Sequence, residues 1–255
     1  MVRISILAIL MCILNANAVC AQSIEIPNTI RKGVIYKNER SFDLGIQTNG
    51  YYFGYNRGKI SKYYLTKYLH MDLGHLKDSR ELKINQSNIS SNLSGNYTYG
   101  KQNDLWNIRV GRGLVRYYSE KARKKGVAIG LRMEAGLLVG LIKPYYLQVR
   151  ERRDNVDYVF SIRYSEERKD QFLNKENILG ASGFRYGFGQ LSVIPGAFGR
   201  IGLSFDPGAF EKMVRALNFG LSLDVYSKKV PILITQKNRF IFANFFLNIQ
   251  FGKRN

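Results

Sequence analysis

The chain has 255 residues, with 39 Lys and Arg against 19 Asp and Glu, two His and two Cys. A formal net charge of +20 calls for an anionic partner, but no nucleic-acid-binding motif accompanies it, so nucleic acid is not expected. Both cysteines, Cys12 and Cys20, fall in a segment that reads as a removable export signal, which excludes thiol, disulfide and cysteine-metal chemistry from the rest.

Met1-Val2-Arg3 gives the positive start of that signal, and Ile4 to Leu14 is an apolar run too short to cross a bilayer. Val19-x-Ala21 before Gln22 is the preferred cleavage site, with Ala16-x-Ala18 as the rival. Val19 before Cys20 is not the small residue that lipid anchoring wants. Removing 21 residues leaves 234 and a net charge of +19, because Arg3 is the one charged residue lost. The expected organisation is a signal peptide over 1–21, a periplasmic segment over 22–39 and an outer-membrane barrel over 40–255.

Beyond residue 21 no apolar stretch approaches the ~18 residues of a membrane helix, so a membrane must be crossed by strands. Transmembrane strands alternate apolar and small or polar residues over about ten positions. Ser41 to Thr48 and Tyr51 to Gly58 show this faintly, joined by a tight Asn49-Gly50 hairpin. Leu65, Leu69, Met71 and Leu73 then oppose Tyr64, Thr66, Tyr68, His70 and Asp72. Leu105 to Arg116 follows, with Arg112 on its lipid face, which requires a place near an interface or a bulge between Gly111 and Gly113.

The clearest segment is Val127 to Ile142, where Val127, Ile129, Leu131, Met133, Ala135, Leu137, Val139 and Leu141 share a face. Arg132 and Glu134 lie on the other, and a helix would scramble the two sets. Ala197 to Phe205, Leu217 to Val225 and Ile241 to Phe251 complete eight strands. In the seventh, Lys in place of Leu221 should be costly and Lys in place of Ser222 tolerated. Tyr145 to Val149 and Tyr158 to Tyr164 are two further strands, either outside the bilayer or raising the count to ten.

The connections separate a membrane barrel from a soluble sheet, which also alternates. Those expected on the periplasmic side are short, at Arg57 to Lys62, Ser119 to Gly126 and Asp206 to Met213. Two outer ones are long, about 76–103 and 143–196, and bacterial barrels share this asymmetry. Tyr51, Tyr52, Tyr63, Trp106, Tyr117, Tyr118, Tyr145 and Tyr146 sit near strand ends, as interface girdles require. The fold class is therefore all-β, an antiparallel up-and-down transmembrane barrel.

Arg40-Ser41-Phe42-Asp43-Leu44-Gly45-Ile46-Gln47-Thr48-Asn49-Gly50 followed by Gly54-Tyr55-Asn56-Arg57-Gly58-Lys59, with a final Phe245 to Phe251 strand capped by Gly252-Lys253, resembles the Bacteroidota-type small outer-membrane β-barrel proteins. The resemblance covers most of Arg40 to Asn255 outside the long loops. It implies a fold and a terminal assembly signal and carries no catalytic residue. Some relatives assist type IX secretion, but no motif here assigns the chain to it.

His70 and Asp72, two apart on one strand face, begin an acid-base pair, but Arg109, Arg132, Glu134, Asn107, Asn218 and Asp224 make a polar lumen network the stronger reading. Two His and no Cys leave no zinc site, and Arg168 and Lys169 between Glu166, Glu167 and Asp170 make that stretch a solvated loop. Gly180 to Gly189 reads as mobile backbone, and the sequons near Asn85-Gln86-Ser87 as a polar loop. Lys228, Lys229, Lys237 and Arg239 form a basic outer rim without an acidic neighbour, and Lys121, Arg123, Lys124 and Lys125 fill an inner turn. Lipopolysaccharide phosphates and anionic headgroups would be their counter-ions.

No cofactor is expected. The expected partners are outer-membrane lipids, the barrel assembly machinery and a secretion-system or envelope protein. A non-enzymatic structural, surface or secretion-accessory barrel leads. A small channel favouring anions through Arg109, Arg132 and Arg200, which needs ten or more strands, is second, and a lipid-modifying enzyme around His70 is third.

Overall fold

The computed structural model describes residues 36–85, 95–119, 126–153, 156–209 and 211–255. The signal peptide, most of the 22–39 segment, the cationic inner turn at Lys121 to Lys125 and the sequon loop from Gln86 lie outside them.

Thirteen strands follow one another among the described residues. The first three are β1 (Asn38–Gln47), β2 (Gly50–Lys62) and β3 (Leu65–Leu76), followed by a small hairpin of β4 (Leu82–Asn85) and β5 (Asn96–Tyr99). Next come β6 (Asn103–Tyr117), β7 (Ala128–Pro144), β8 (Tyr146–Arg153), β9 (Val156–Arg163) and β10 (Ile178–Ala181). The last are β11 (Ser192–Asp206), β12 (Met213–Tyr226) and β13 (Ile241–Arg254). A five-residue helix, α1 (Lys169–Leu173), precedes β10.

Eight strands, β1, β2, β3, β6, β7, β11, β12 and β13, close into a barrel in which each pairs antiparallel with the next and β13 returns to β1. Closure gives every wall strand two partners, the condition for strands in hydrocarbon, where an unpaired backbone group costs several kcal/mol. The wall is also inverted relative to a soluble protein. Leu137 is 74% exposed and Phe245 70%, whereas Arg109 and Asp224 are buried inside. Apolar side chains face outward on all eight strands, far beyond the few hundred Å² of apolar patch that a soluble monomer carries. This is a transmembrane barrel of eight strands.

The two extra strands do not enter the wall. β8 pairs with β9 and β10 in a separate three-stranded sheet beyond the barrel mouth, which removes the ten-strand alternative. That sheet shares a core of Leu147, Val149, Ile162, Phe172 and Ile178 with Tyr97 of the β4–β5 hairpin. The two long loops thus build one packed cap. Gly180 lies within β10, and Gly187 adopts φ +92, where a Cβ would lie 2.6 Å from the Pro144 carbonyl oxygen. The 180–189 stretch is therefore built structure, a strand and a tight glycine turn, where mobile backbone was expected.

Other expectations shift locally. β2 runs on through Arg57 to Lys62, with a register shift against β3 between Ile60 and Lys62, and the connection to β3 is the pair Tyr63 and Tyr64. Tyr64 is exposed, not inward, because it sits on that turn. β6 keeps continuous register with β3 and β7 through Gly111, Arg112 and Gly113, so no bulge relieves Arg112, and it points outward. Of the expected girdle, Tyr51 and Trp106 face out at the capped end, each ringed against His75 at 5.7 and 4.8 Å. Tyr118 is exposed at the other end with Arg116 over its ring at 5.3 Å. Tyr52 instead points inward and is buried, since the alternation of β2 puts it opposite Gly45.

Candidate functional site

The interior is filled in successive layers. At the capped end, inward residues of the wall, Leu76, Leu105, Leu138, Ile142 and Phe242 among them, pack against Val230, Ile232 and Leu233 of the loop between β12 and β13. That loop is tied to the mouth. The amides of Gln102 and Asn103 both donate to the Ile232 carbonyl, and Asn103 Nδ2 donates to the Pro231 carbonyl at 2.6 Å. The loop and the wall thus form an apolar plug bonded to its rim at this end.

The middle layer is ionic. Arg109 on β6 donates to Asp72 at 2.9 Å and to Asp224, on β12, at 2.6 Å. Arg200 on β11 lies 2.8 Å from Asp72 and 3.3 Å from Glu134, and Arg132 lies 2.6 Å from Glu134 and 2.7 Å from Asp43. His70 shares hydrogen bonds with Asp72 through Nε2 at 2.7 Å and with Asn56 through Nδ1 at 2.6 Å. Three guanidiniums and one imidazole therefore meet four carboxylates, each arginine spanning at least two of them. The buried charge is close to balanced, which removes the basic lumen on which anion preference was based.

All six sequence-named network residues, His70, Asp72, Arg109, Arg132, Glu134 and Asp224, are brought together. The sequence reading placed Asn107 there too, and it meets the Tyr226 hydroxyl at 2.7 Å. It missed the role of Asp43 and Tyr52. Asp43 lies inward by simple alternation from Phe42 and Leu44, so its signal was present but faint. Tyr52 covers Gly45, and the guanidinium of Arg200 stands 4.2 Å from its ring centre.

Toward the uncapped end the filling is neutral, then ionic again. Gln250 Nε2 donates to Ser41 Oγ at 2.6 Å and Asn218 Nδ2 to Asn248 Oδ1 at 2.6 Å. Arg254 closes the floor through Asp206 at 2.9 Å and Glu39 at 2.8 Å.

Asp43, His70 and Glu134 offer ligand atoms within 4.8 Å of one another. Arg132 already occupies one oxygen of each carboxylate, so the trio is better satisfied by cations of the chain than by an added ion. Among the described residues, His70 likewise has no nucleophile in hydrogen-bond contact. Ser41 bonds Asn56 and Gln250 instead, one residue removed from the ring.

The basic rim stands outside this interior. Lys228, Lys229, Lys237 and Arg239 are exposed on the cap side, but Arg239 has an acidic neighbour after all. The hydrogen bonds of Arg80 hold the Asp78 carboxyl below the usual range, and Arg239 adds to the effect. Arg80 also donates to the Lys237 carbonyl at 3.1 Å. Nearby, burial works to lower the Lys101 ammonium, but Asp104 and Glu81, at 2.8 and 3.1 Å, outweigh it and raise the group. Glu166, Glu167 and Arg168 form a solvated turn before α1.

No family model matches the sequence, and no curated protein matches it. Among solved structures, a major outer membrane protein from Thermus thermophilus aligns at 10% identity and TM-score 0.39, covering 86% of this chain and 99% of that one. Neisserial surface protein A aligns at 8% identity and TM-score 0.38, over 86% and 97%. The attachment invasion locus protein Ail of Yersinia pestis aligns at 9% identity and TM-score 0.37, over 87% and 100%. The barrel assignment itself rests on the closed strand register and the outward apolar belt.

Proposed function

We propose that this chain is a non-enzymatic integral barrel of a Gram-negative outer membrane, serving the envelope as a structural or surface component through its cap and not as a conduit. The observation that carries this reading is the filled interior, with an apolar plug, a charge-matched arginine–carboxylate layer and an ionic floor in series. Eight strands enclose a space that side chains can fill, and here they do. A channel reading loses its basic lumen, and among the described residues no nucleophile stands in hydrogen-bond contact with His70 for an enzymatic one.

The export signal and a wall built of strands favour the outer membrane over the inner one. The packed cap offers an ordered surface for an envelope or secretion partner, and its rim of Lys228, Lys229, Lys237 and Arg239 suits lipopolysaccharide phosphates. The resemblance to Bacteroidota-type barrels fits a secretion-accessory role, and barrel assembly machinery would insert the chain. Purified protein in a planar bilayer should give no steady single-channel current. A stable conductance would overturn the sealed-lumen reading.

A further inference from the structure

The outward face of the wall is not uniform. In its uncapped half no described strand residue offers an outward carboxylate, yet Arg40, Arg57, Lys59, Lys67, Arg112 and Lys253 all point out. Their register makes this costly. Arg40 stands directly opposite Lys253 on one side and Arg57 on the other, and Lys59 stands directly opposite Lys67. Like charges facing each other across a sheet destabilise it, and among the described residues no carboxylate pairs with these six. Arg57 and Arg112 flank the same residue, Leu69, from two sides.

Four of these cations border a depression in the outer wall. A groove of about 800 Å³ is lined by Arg57, Lys59, Lys67 and Arg112. Leu69, Leu114 and Met133 floor it, and small Ala135, opposite Arg112, leaves the space open. Arg112 lies four residues deeper in the wall than Arg116, at the inner edge of the groove. Its stem can follow apolar surface while the guanidinium reaches back toward Lys67 and Arg57.

We propose that this groove binds an anionic phospholipid of the leaflet at the uncapped end, in a site distinct from the basic rim of the cap. The phosphate sits among Arg57, Lys59, Lys67 and Arg112, where guanidiniums supply paired donors and the like-charge rows gain the counter-ion they lack. One acyl chain lies along Leu69, Leu114 and Met133. A soluble phosphate would satisfy only the charges and leave the apolar floor to bulk lipid. The inference rests on the membrane-spanning reading of the wall but not on the sealed lumen.

The test is native mass spectrometry of the detergent-solubilised full chain offered equal amounts of dioleoyl phosphatidylglycerol, phosphatidylethanolamine and phosphatidylcholine. Wild type should retain phosphatidylglycerol on the order of tenfold over phosphatidylcholine, since each cation near an anionic headgroup adds to the attraction. The variant R57Q/K59Q/K67Q/R112Q should bind the three lipids alike, while K228Q/K229Q/K237Q/R239Q keeps the preference. Excess glycerol phosphate should not displace the retained lipid.

Equal retention of the three lipids by wild type overturns the proposal without any variant. An undiminished preference in the groove variant, shown folded by its heat-modifiable migration, also overturns it, as does stripping by glycerol phosphate. None of these results alters the bilayer current that judges the sealed lumen.

Discussion

Leu221 is half exposed on the outside of β12, and the adjacent Ser222 is buried opposite Arg200. A Lys in place of Leu221 would put a charge in hydrocarbon and cost about 2–4 kcal/mol near the midplane. The position inside behaves differently from what alternation alone suggests. The tolerance expected for Lys at 222 assumed a wet lumen, whereas the structure puts a guanidinium directly across the strand pair. Ser222→Lys should therefore also lose folded yield, through like-charge repulsion. Ser222→Ala should stay within about 0.5 kcal/mol of wild type, because Ser222 Oγ has no hydrogen-bond partner to lose. Refolding the three variants into vesicles and scoring heat-modifiable migration checks this. A harmless Leu221→Lys would mean that the outer face of β12 is wet. At this scale the sequence revealed which face a residue takes, but not what would stand across from it, since that depends on strand register.

Among the elements, β13 carries the closure, pairing with β12 along one edge and β1 along the other. Deleting Phe245 to Asn255 removes the whole pairing with β1 and most of that with β12, and leaves two edges whose backbone groups cannot be satisfied in lipid. The truncated chain should be missing from outer-membrane fractions and appear as aggregate or fragments in the periplasm. Normal abundance in the membrane would show that closure does not need this strand. The eight wall strands were legible because lipid outside and a filled lumen inside impose a strict period of two. Turn positions were less so. Asn56-Arg57-Gly58-Lys59 has the composition of a connection, but it continues β2 because Gly58 faces in and the cations face out. The true turn, Tyr63 and Tyr64, contains none of the usual turn residues. β10 and the β4–β5 hairpin escaped notice because four-residue strands carry too little alternation to stand out.

For the molecule as a whole, the cap and the wall have separate cores, so damage to one should leave the other intact. Phe172 on α1 is fully buried in the cap cluster and stacks edge-on to Tyr164 at 5.7 Å. Phe172→Ala should cost the cap about 3–5 kcal/mol. Limited proteolysis should then cut within residues 145–191 while the barrel keeps its heat-modifiable migration. Loss of that migration would mean that cap and wall unfold together. The charged residues of the lumen could be read in the sequence because they alternate with outward apolar residues along the same strands, as His70 and Asp72 do with Leu69, Met71 and Leu73. The plug could not, because Leu76, Leu105 and Leu138 look like any apolar strand residue, and Val230, Ile232 and Leu233 sit in a loop. That loop also sets an order of events. It joins the last two strands, so until the final hairpin is in place the mouth lacks its stopper and Leu76, Leu105 and Leu138 face water. On the sealed-lumen reading, docking of β13 closes the wall and stoppers the mouth in a single step.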